Sequence, residues 1–116
     1  MSSAGAPGQP GATESTFDVG SVADFPEGSI TARTVADTDI IVVCQGGEFF
    51  AMPDRCTHQR YPLHDGELLE GKIRCVHHGA TFDLRSGRAT LPAIKKIQLF
   101  QAAEQGGRVV VTLQEV

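Results

Sequence analysis

The sequence predicts an all-β protein, a small antiparallel barrel or sandwich. β-branched and aromatic residues are gathered into short runs, which is the composition that strands favour. Pairs such as Gly46-Gly47 and Gly106-Gly107 separate these runs and indicate tight hairpin turns. No segment of useful length repeats its apolar residues with the period of an amphipathic helix. Short strands joined by turns are typical of small barrels, and we expect about nine of them.

The strands are predicted in chain order from these runs. They cover residues 17–19, 30–35, 39–44, 48–52, 72–75, 80–84, 97–102 and 109–113. Ser21, with Asp24 three residues later, predicts the capped start of a brief helical turn. The run at 39–44 (DIIVVC) is apolar at consecutive positions and predicts a buried strand. Regular patterning lapses between residues 53 and 71, so no strand is predicted there.

The domain organisation follows from length and composition. A chain of 116 residues fits one domain. Residues 1–15 are rich in Gly, Pro, Ser and Ala, and we expect a flexible tail because they have too little apolar surface to bury. Residues 16–116 then form the domain. Its middle, about 53–92, holds all four histidines and two of the three cysteines, which predicts a site built from loops on a β scaffold.

Charge and cysteine content exclude several classes of function. A formal net charge of −4 argues against a nucleic-acid-binding surface, which is normally basic. No apolar stretch approaches the roughly 18 residues of a membrane span, and the N-terminus lacks the pattern of a secretory signal. Three cysteines make a disulfide scaffold improbable and favour a reducing compartment, so we expect a cytoplasmic protein.

The candidate metal ligands form two short motifs. Cys56-Thr57-His58 is followed, sixteen residues later, by Cys75-Val76-His77-His78. Thiolate and imidazole suit zinc, copper or an iron–sulfur cluster, and ligands this close in sequence let one loop direct both at one point. Residue types and spacing leave two arrangements open. One is a single tetrahedral zinc, and the other is a [2Fe–2S] cluster with cysteines on one iron and histidines on the other.

The residues after the second motif carry a resemblance to a known family. The run CTH…CVHHGATFDLRSG resembles the Rieske signature over both ligand loops, and the likeness extends over about residues 17–113. The resemblance implies that Cys56 and Cys75 hold an inner iron and that His58 and His78 hold an outer iron near the surface. The sequence GATFD after His78 fixes the register, so His77 is the variable position. We interpret His77, like His64, as an ordinary surface side chain.

Four positions distinguish the chain from respiratory Rieske proteins. Two extra cysteines of those proteins correspond here to Tyr61 and His77, so the disulfide between their ligand loops is missing. Their Ser and Tyr hydroxyls, which donate hydrogen bonds to sulfur, correspond to Ala80 and Phe82. Such bonds stabilise the reduced cluster. We therefore expect a potential near the bottom of the roughly −150 to +300 mV range of Rieske centres.

The chain is most similar in these features to the ferredoxin component of bacterial aromatic-ring-hydroxylating dioxygenase systems. The resemblance implies an electron carrier with one [2Fe–2S] cluster, and not an enzyme. Its implied partners are an NAD(P)H-dependent reductase and a terminal oxygenase, which dock transiently. Neither nucleic acid nor membrane is expected as a partner. Two alternatives stay open: the Rieske small subunit of assimilatory nitrite reductase, and a structural zinc module.

Two further interpretations concern single residues. Leu91 and Pro92 resemble the loop that shields the cluster in this family, although a proline that ends a strand explains them equally well. Cys44 ends an apolar run, and we interpret it as a small buried hydrophobic residue.

Overall fold

The computed structural model describes residues 13–57, 61–76, 79–91, 93 and 95–115. The strands in this part of the chain are β1 (Thr13–Ser21), β2 (Ile30–Val35), β3 (Thr38–Gln45), β4 (Glu48–Pro53), β5 (Glu67–Leu69), β6 (Lys72–Arg74), β7 (Thr81–Asp83), β8 (Gln101–Gln105) and β9 (Arg108–Glu115). They form three antiparallel sheets with the orders β1-β9-β8, β2-β3-β4 and β5-β6-β7. The predicted all-β fold is confirmed.

Strand β3 lies between two apolar clusters. Ile41 and Val43 belong to a cluster that also contains both cysteines of the predicted metal site. Ile40 and Val42 belong to a second cluster, which contains residues of β1 and β9. Side chains alternate between the two faces of a strand, so a strand covered on both sides must be apolar at consecutive positions. The predicted burial of this run is therefore confirmed.

Cys44 packs in the second cluster at the end of β3, and its side chain is buried. Desolvation raises the pKa of its thiol, and the nearby charge of Glu27 raises it further. A thiol that resists ionisation is a poor nucleophile and a poor ligand. The interpretation of Cys44 as a small buried hydrophobic residue is confirmed.

The predicted helical turn is present as a short 3-10 helix over Val22–Asp24. The Ser21 hydroxyl accepts from the Ala23 N–H at 3.2 Å, and the Asp24 carboxylate accepts from the Ser21 N–H at 3.1 Å. This reciprocal capping is the arrangement that the sequence indicated. No helix of the described residues is long and apolar enough to cross a membrane.

Two strand starts lie four residues from their predicted positions, and one strand was missed. β1 begins at Thr13, so the predicted tail, residues 1–15, overlaps the strand by three residues; ladder bonds to β9 need no apolar side chain. β8 begins at Gln101 and not at residue 97, because Ile97 donates to the Gly87 carbonyl at 2.8 Å and leaves the strand path. β5 was missed, because its three residues are too few for a recognisable pattern.

The small sheet β5-β6-β7 carries the predicted metal loops, and side chains connect it to the β3–β4 hairpin. The Gln45 amide donates to the Leu69 carbonyl at 2.8 Å and accepts from the Gly71 N–H at 2.7 Å. Arg85 forms an ion pair with Glu48. On the other side of the hairpin, the Phe100 N–H donates to the Ala51 carbonyl at 2.8 Å and places β8 beside β4.

Candidate metal centre

The first predicted ligand loop follows β4 and is closed by its own backbone. The Cys56 N–H donates to the Tyr61 carbonyl at 2.9 Å, five residues further along the chain. The Asp54 carboxylate closes the loop from outside: Oδ1 accepts from the N–H groups of Leu63 and His64 at 2.7 and 2.8 Å. Both ends of the loop are therefore fixed around the segment that contains His58.

The second predicted ligand loop follows β6 and is closed in the same way. The Cys75 N–H donates to the Ala80 carbonyl at 2.8 Å, again five residues further along. The Gly79 N–H donates back to the Cys75 carbonyl at 2.9 Å. Gly79 has φ +79°, a left-handed conformation that side-chain-bearing residues rarely adopt. The two motifs are therefore closed by the same backbone hydrogen bond, from the cysteine N–H to the carbonyl five residues further along.

The two cysteines meet in one buried cluster. Cys56 is 2% exposed and Cys75 is 0% exposed, and both pack with Leu63, Ala80 and Phe82. Neither forms a disulfide. The Thr57 hydroxyl donates to the Lys95 carbonyl at 2.6 Å, which attaches the first loop to the segment after Leu91.

The histidine half of the predicted ligand set, His58 and His78, lies outside the described residues, as do His77 and Pro92. Within the part of the chain that the structure describes, no group of three or more His, Cys, Asp and Glu side chains is arranged to hold a metal ion. The assignment of the four ligands therefore stays a prediction, with its two cysteines in one buried cluster.

His64 has a partner that the sequence did not reveal. Its Nδ1 lies 2.6 Å from Asp54 Oδ2, and its Nε2 lies 3.5 Å from Asp65 Oδ1. The hydrogen bond and the charge of Asp54 raise the pKa of His64; desolvation opposes this rise, and the charge of Asp65 adds a smaller increase. The side chain is 42% exposed, so it lies at the surface as predicted, but it also braces the first loop. Ten residues separate the pair, so no local pattern could have indicated it.

The two positions that lack a hydroxyl group lie in the apolar core. Ala80 and Phe82 are both 0% exposed and pack in the cluster that holds the cysteines. A water molecule needs a polar cavity with several partners, which a close-packed apolar cluster does not provide. Tyr61, at the position that corresponds to a loop cysteine in respiratory Rieske proteins, is 38% exposed.

The residues fit a cluster held partly by sulfur. Two cysteines that are buried, not disulfide-bonded and enclosed by short loops provide soft ligands on the inner side of the site. The apolar surroundings restrict access of water, which also sets the potential of such a centre. Residues 58 and 78 fall within the two closed loops, so the sequence provides an imidazole in each.

Comparison with known proteins assigns the family. Residues 15–101 match the Rieske [2Fe-2S] domain family model. The chain is 34% identical, over 81% of its length and 90% of the relative, to the 3-phenylpropionate/cinnamic acid dioxygenase ferredoxin subunit of Shigella flexneri serotype 5b (strain 8401). It is 40% identical to the biphenyl 2,3-dioxygenase ferredoxin component of Rhodococcus jostii (strain RHA1), over 64% of this chain and 71% of that one.

A solved structure agrees with these relatives. The complex of reduced oxygenase and oxidized ferredoxin in carbazole 1,9a-dioxygenase contains a chain that superposes with a TM-score of 0.77 at 28% identity, over 83% of this chain and 91% of that one. The family match, the sequence relatives and the shared fold agree with the two buried cysteines and their matching loops. The chain therefore belongs to the Rieske [2Fe–2S] domain family, and its cofactor is a Rieske-type [2Fe–2S] cluster.

Proposed function

We propose that this chain carries single electrons from an NAD(P)H-dependent reductase to a terminal aromatic-ring-hydroxylating oxygenase. The observation that carries the proposal is the pair of closed loops that bury Cys56 and Cys75, in a chain related to dioxygenase ferredoxins. The cluster supplies a site that gains and loses one electron without bond making. The protein itself catalyses no reaction in this scheme.

We assign the ligands as Cys56 and Cys75 on the inner iron and His58 and His78 on the outer iron. The burial of both cysteines supports the inner assignment. The chain's own residues hold the loops: Asp54 fixes the first one, and Thr57 fastens it to Lys95. We further propose that the domain continues to residue 116, with its cluster-binding part at about 53–92, and that it works in the cytoplasm.

We expect a low potential because the cysteines lie in apolar surroundings. Ala80 and Phe82 offer no hydroxyl to sulfur, and both are buried in the apolar cluster that contains the cysteines. Fewer hydrogen bonds to sulfur stabilise the reduced form less and lower the potential. A low potential suits transfer from a flavin reductase to an oxygenase and does not suit quinol oxidation.

The partner assignment rests on the relatives. The carbazole 1,9a-dioxygenase structure is a complex of an oxygenase with a ferredoxin, which supports an oxygenase as the electron acceptor of this chain. The reductase is proposed because a carrier needs a donor, and NAD(P)H is the general source of reducing equivalents for such systems.

An anaerobic reductive titration of the purified protein, followed by EPR and potentiometry, tests the proposal. We expect one electron per chain, a Rieske-type signal in the reduced state, a potential in the lower part of the family range and repeated cycling without loss of iron. A potential near the top of the range would instead favour a role in quinol oxidation. An iron-loaded sample without a reduced-state signal would contradict the cluster, and colourless protein containing zinc would favour the structural zinc module.

A further inference from the structure

We propose that a groove on the side of the molecule binds an extended segment of a partner protein. The segment carries Lys or Arg next to apolar side chains. The groove lies between the β3–β4 hairpin and the small sheet β5-β6-β7, away from the two ligand loops. The inference goes beyond the proposed electron transfer, because binding in the groove does not need the cluster. It is carried by the shape of the surface and by the chemistry of the residues that line it.

The groove consists of two open depressions that adjoin. The larger has a volume of about 590 Å³, and the smaller has a volume of about 220 Å³. Phe50, Leu84 and Arg85 line both depressions, so the two form one continuous surface. The larger volume alone falls within the roughly 300–1,000 Å³ of ligand-binding sites. The groove is therefore large enough for several side chains of a bound segment.

The groove borders the end of the small sheet that is opposite to the ligand loops. Gly71, in its lining, precedes β6, and β6 runs from there toward Cys75. Asp83, also in its lining, ends β7, and β7 begins next to Ala80. The two strands separate the groove from the loops. A segment bound in the groove therefore leaves the cluster end free for electron exchange.

The smaller depression is mainly apolar. Its lining contains three aromatic rings, those of Phe49, Phe50 and Phe100, together with Leu84 and Leu99. The three rings and Leu99 are partly exposed, so they present apolar surface to a ligand. Apolar and aromatic side chains that line a concave surface are typical of binding sites. This part of the groove therefore fits an apolar side chain.

The larger depression is acidic. Its lining includes the carboxylates of Glu27, Glu48, Glu70 and Asp83 and the cation Arg85, which gives these five residues a formal charge of −3. Hydrogen bonds from backbone N–H groups lower the pKa of Glu27 and the pKa of Asp83, so both carboxylates stay ionised. This end of the groove therefore attracts a cationic group.

Arg85 shows how the groove holds a cation. Its guanidinium lies 5.4 Å from the centroid of the Phe50 ring, and it forms an ion pair with Glu48. An aromatic face and a carboxylate are two partners that a guanidinium favours. The side chain belongs to both depressions, so a cation and an apolar surface already meet at their junction.

Negative charge remains available after these internal pairings. Glu70 is exposed, and its carboxylate has no ion pair within the described residues. Lys72 lies opposite Asp83 on the neighbouring strand and offsets one of the charges. The groove together with Lys72 still carries a formal charge of −2. A partner with a Lys or Arg at this position would therefore gain an ion pair without displacing Arg85.

The occupant that fits is a segment of another protein. Residues 1–12 of this chain contain no Lys, Arg or aromatic residue, so they lack the groups that the groove would bind. Two copies that met groove to groove would bring like charges together, which is unfavourable. In an extended segment, side chains two residues apart lie on one face. A basic and an apolar side chain can therefore enter the two depressions together.

The test is the binding of a synthetic peptide, acetyl-Lys-Arg-Ser-Trp-Ser-Leu-amide, to the oxidised holoprotein. This chain contains no Trp, so the anisotropy of tryptophan fluorescence reports on the peptide. A second peptide has Glu in place of Lys and Arg, and a third has Ser in place of Leu. We expect the second to bind at least about tenfold more weakly and the third about threefold more weakly. Equal affinities of the first and second peptides would overturn the proposal.

Two matched pairs of variants locate the site. Glu70→Gln and Glu104→Gln each remove one exposed negative charge, but Glu104 lies on β8 outside the groove. We expect only Glu70→Gln to weaken the first peptide, by about two- to threefold. Phe50→Leu tests the apolar lining, with Phe17→Leu on β1 as its control, and we expect only Phe50→Leu to weaken binding. Equal effects within the Glu pair would contradict the groove even if Phe50→Leu fails to fold.

Two outcomes would identify another occupant, and either would overturn the proposal. Self-association of the protein that Glu70→Gln weakens would identify a second copy of the chain. Binding of spermidine as tightly as the first peptide would identify a small polycation. EPR of each reduced sample keeps the proposed function separate. A missing cluster signal contradicts electron transfer, whereas a normal signal without peptide binding contradicts only the groove.

Discussion

Asp54 is the residue whose removal we expect to weaken the first ligand loop most. Its side chain is 8% exposed and makes three contacts, two with the N–H groups of Leu63 and His64 and one with the His64 ring. Asp54→Ala removes all three. Asp54→Asn keeps an oxygen for the two N–H groups but removes the negative charge, so the two variants separate the geometry of the brace from its charge.

The magnitude follows from the contacts. A hydrogen bond to a charged group contributes about 1.5–3 kcal/mol, and the lower end applies near a solvent-exposed histidine. The two N–H bonds then contribute about 3 kcal/mol, and the exposed ion pair with His64 adds no more than about 0.5 kcal/mol. For a domain near 100 residues, about 3 kcal/mol corresponds to a fall in Tm of roughly 12–20 °C. We expect Asp54→Asn to lose about half as much, because a neutral acceptor forms weaker bonds.

The assay follows thermal unfolding of the oxidised protein together with the visible absorbance of the cluster. We expect Asp54→Ala to lose colour at a much lower temperature than Asp54→Asn. Asp65→Asn is the control, because that side chain is 61% exposed and touches only the other side of His64, at 3.5 Å. An Asp54→Ala protein that unfolds and loses its cluster within about 3 °C of the parent would refute the reasoning, since it would mean that the brace contributes under about 1 kcal/mol.

Three further predictions come from other parts of the molecule. The pKa of His64 is raised, so its pairing with Asp54 stabilises the fold at pH values below the pKa of the unfolded state. This stabilisation is lost as the pH rises through the pKa of the folded state. The Tm difference between the parent and Asp54→Asn should therefore shrink from pH 6 to pH 9. Ala80→Ser should raise the reduction potential, by about 40 mV if one sulfur hydrogen bond of about 1 kcal/mol forms, whereas an unchanged potential would exclude that bond. Ala36 has φ +50° and Gly46 has φ +67°, and glycine adopts such positive φ values more easily than alanine. Ala36→Gly should therefore raise Tm slightly, and Gly46→Ala should lower it by an amount equivalent to about 1 kcal/mol. Shifts of equal size and the same sign in the two variants would contradict this account of the turns.

The elements that the sequence predicted well are those whose determinants are local. The capped helical turn at Ser21 and the hairpin at Gly46-Gly47 depend on residues within four positions of each other. The buried strand β3 was recognisable because the two apolar clusters on its faces require apolar side chains at five consecutive positions, residues 40–44. The two cysteine motifs were recognisable because each predicted ligand loop closes within five residues.

The features that the sequence did not reveal depend on contacts between distant residues. The Asp54–His64 brace joins positions ten residues apart in an irregular segment. The predicted strand at 97–102 was too long because Ile97 contributes its apolar side chain to the core while its N–H bonds the 85–88 turn. Burial and strand pairing produce the same apolar pattern, so the sequence could not separate them.

The central claim is that Cys56, His58, Cys75 and His78 hold a [2Fe–2S] cluster, and adjacent histidines provide its most direct test. His77→Ala and His78→Ala change neighbouring residues in one loop to the same side chain, so differences in expression or folding are matched. Iron content and the EPR signal of the reduced protein should be recorded for both. We predict that His77→Ala keeps the iron and the Rieske-type signal of the parent and that His78→Ala loses both. Retention of the signal in His78→Ala, or its loss in His77→Ala, would contradict the ligand assignment.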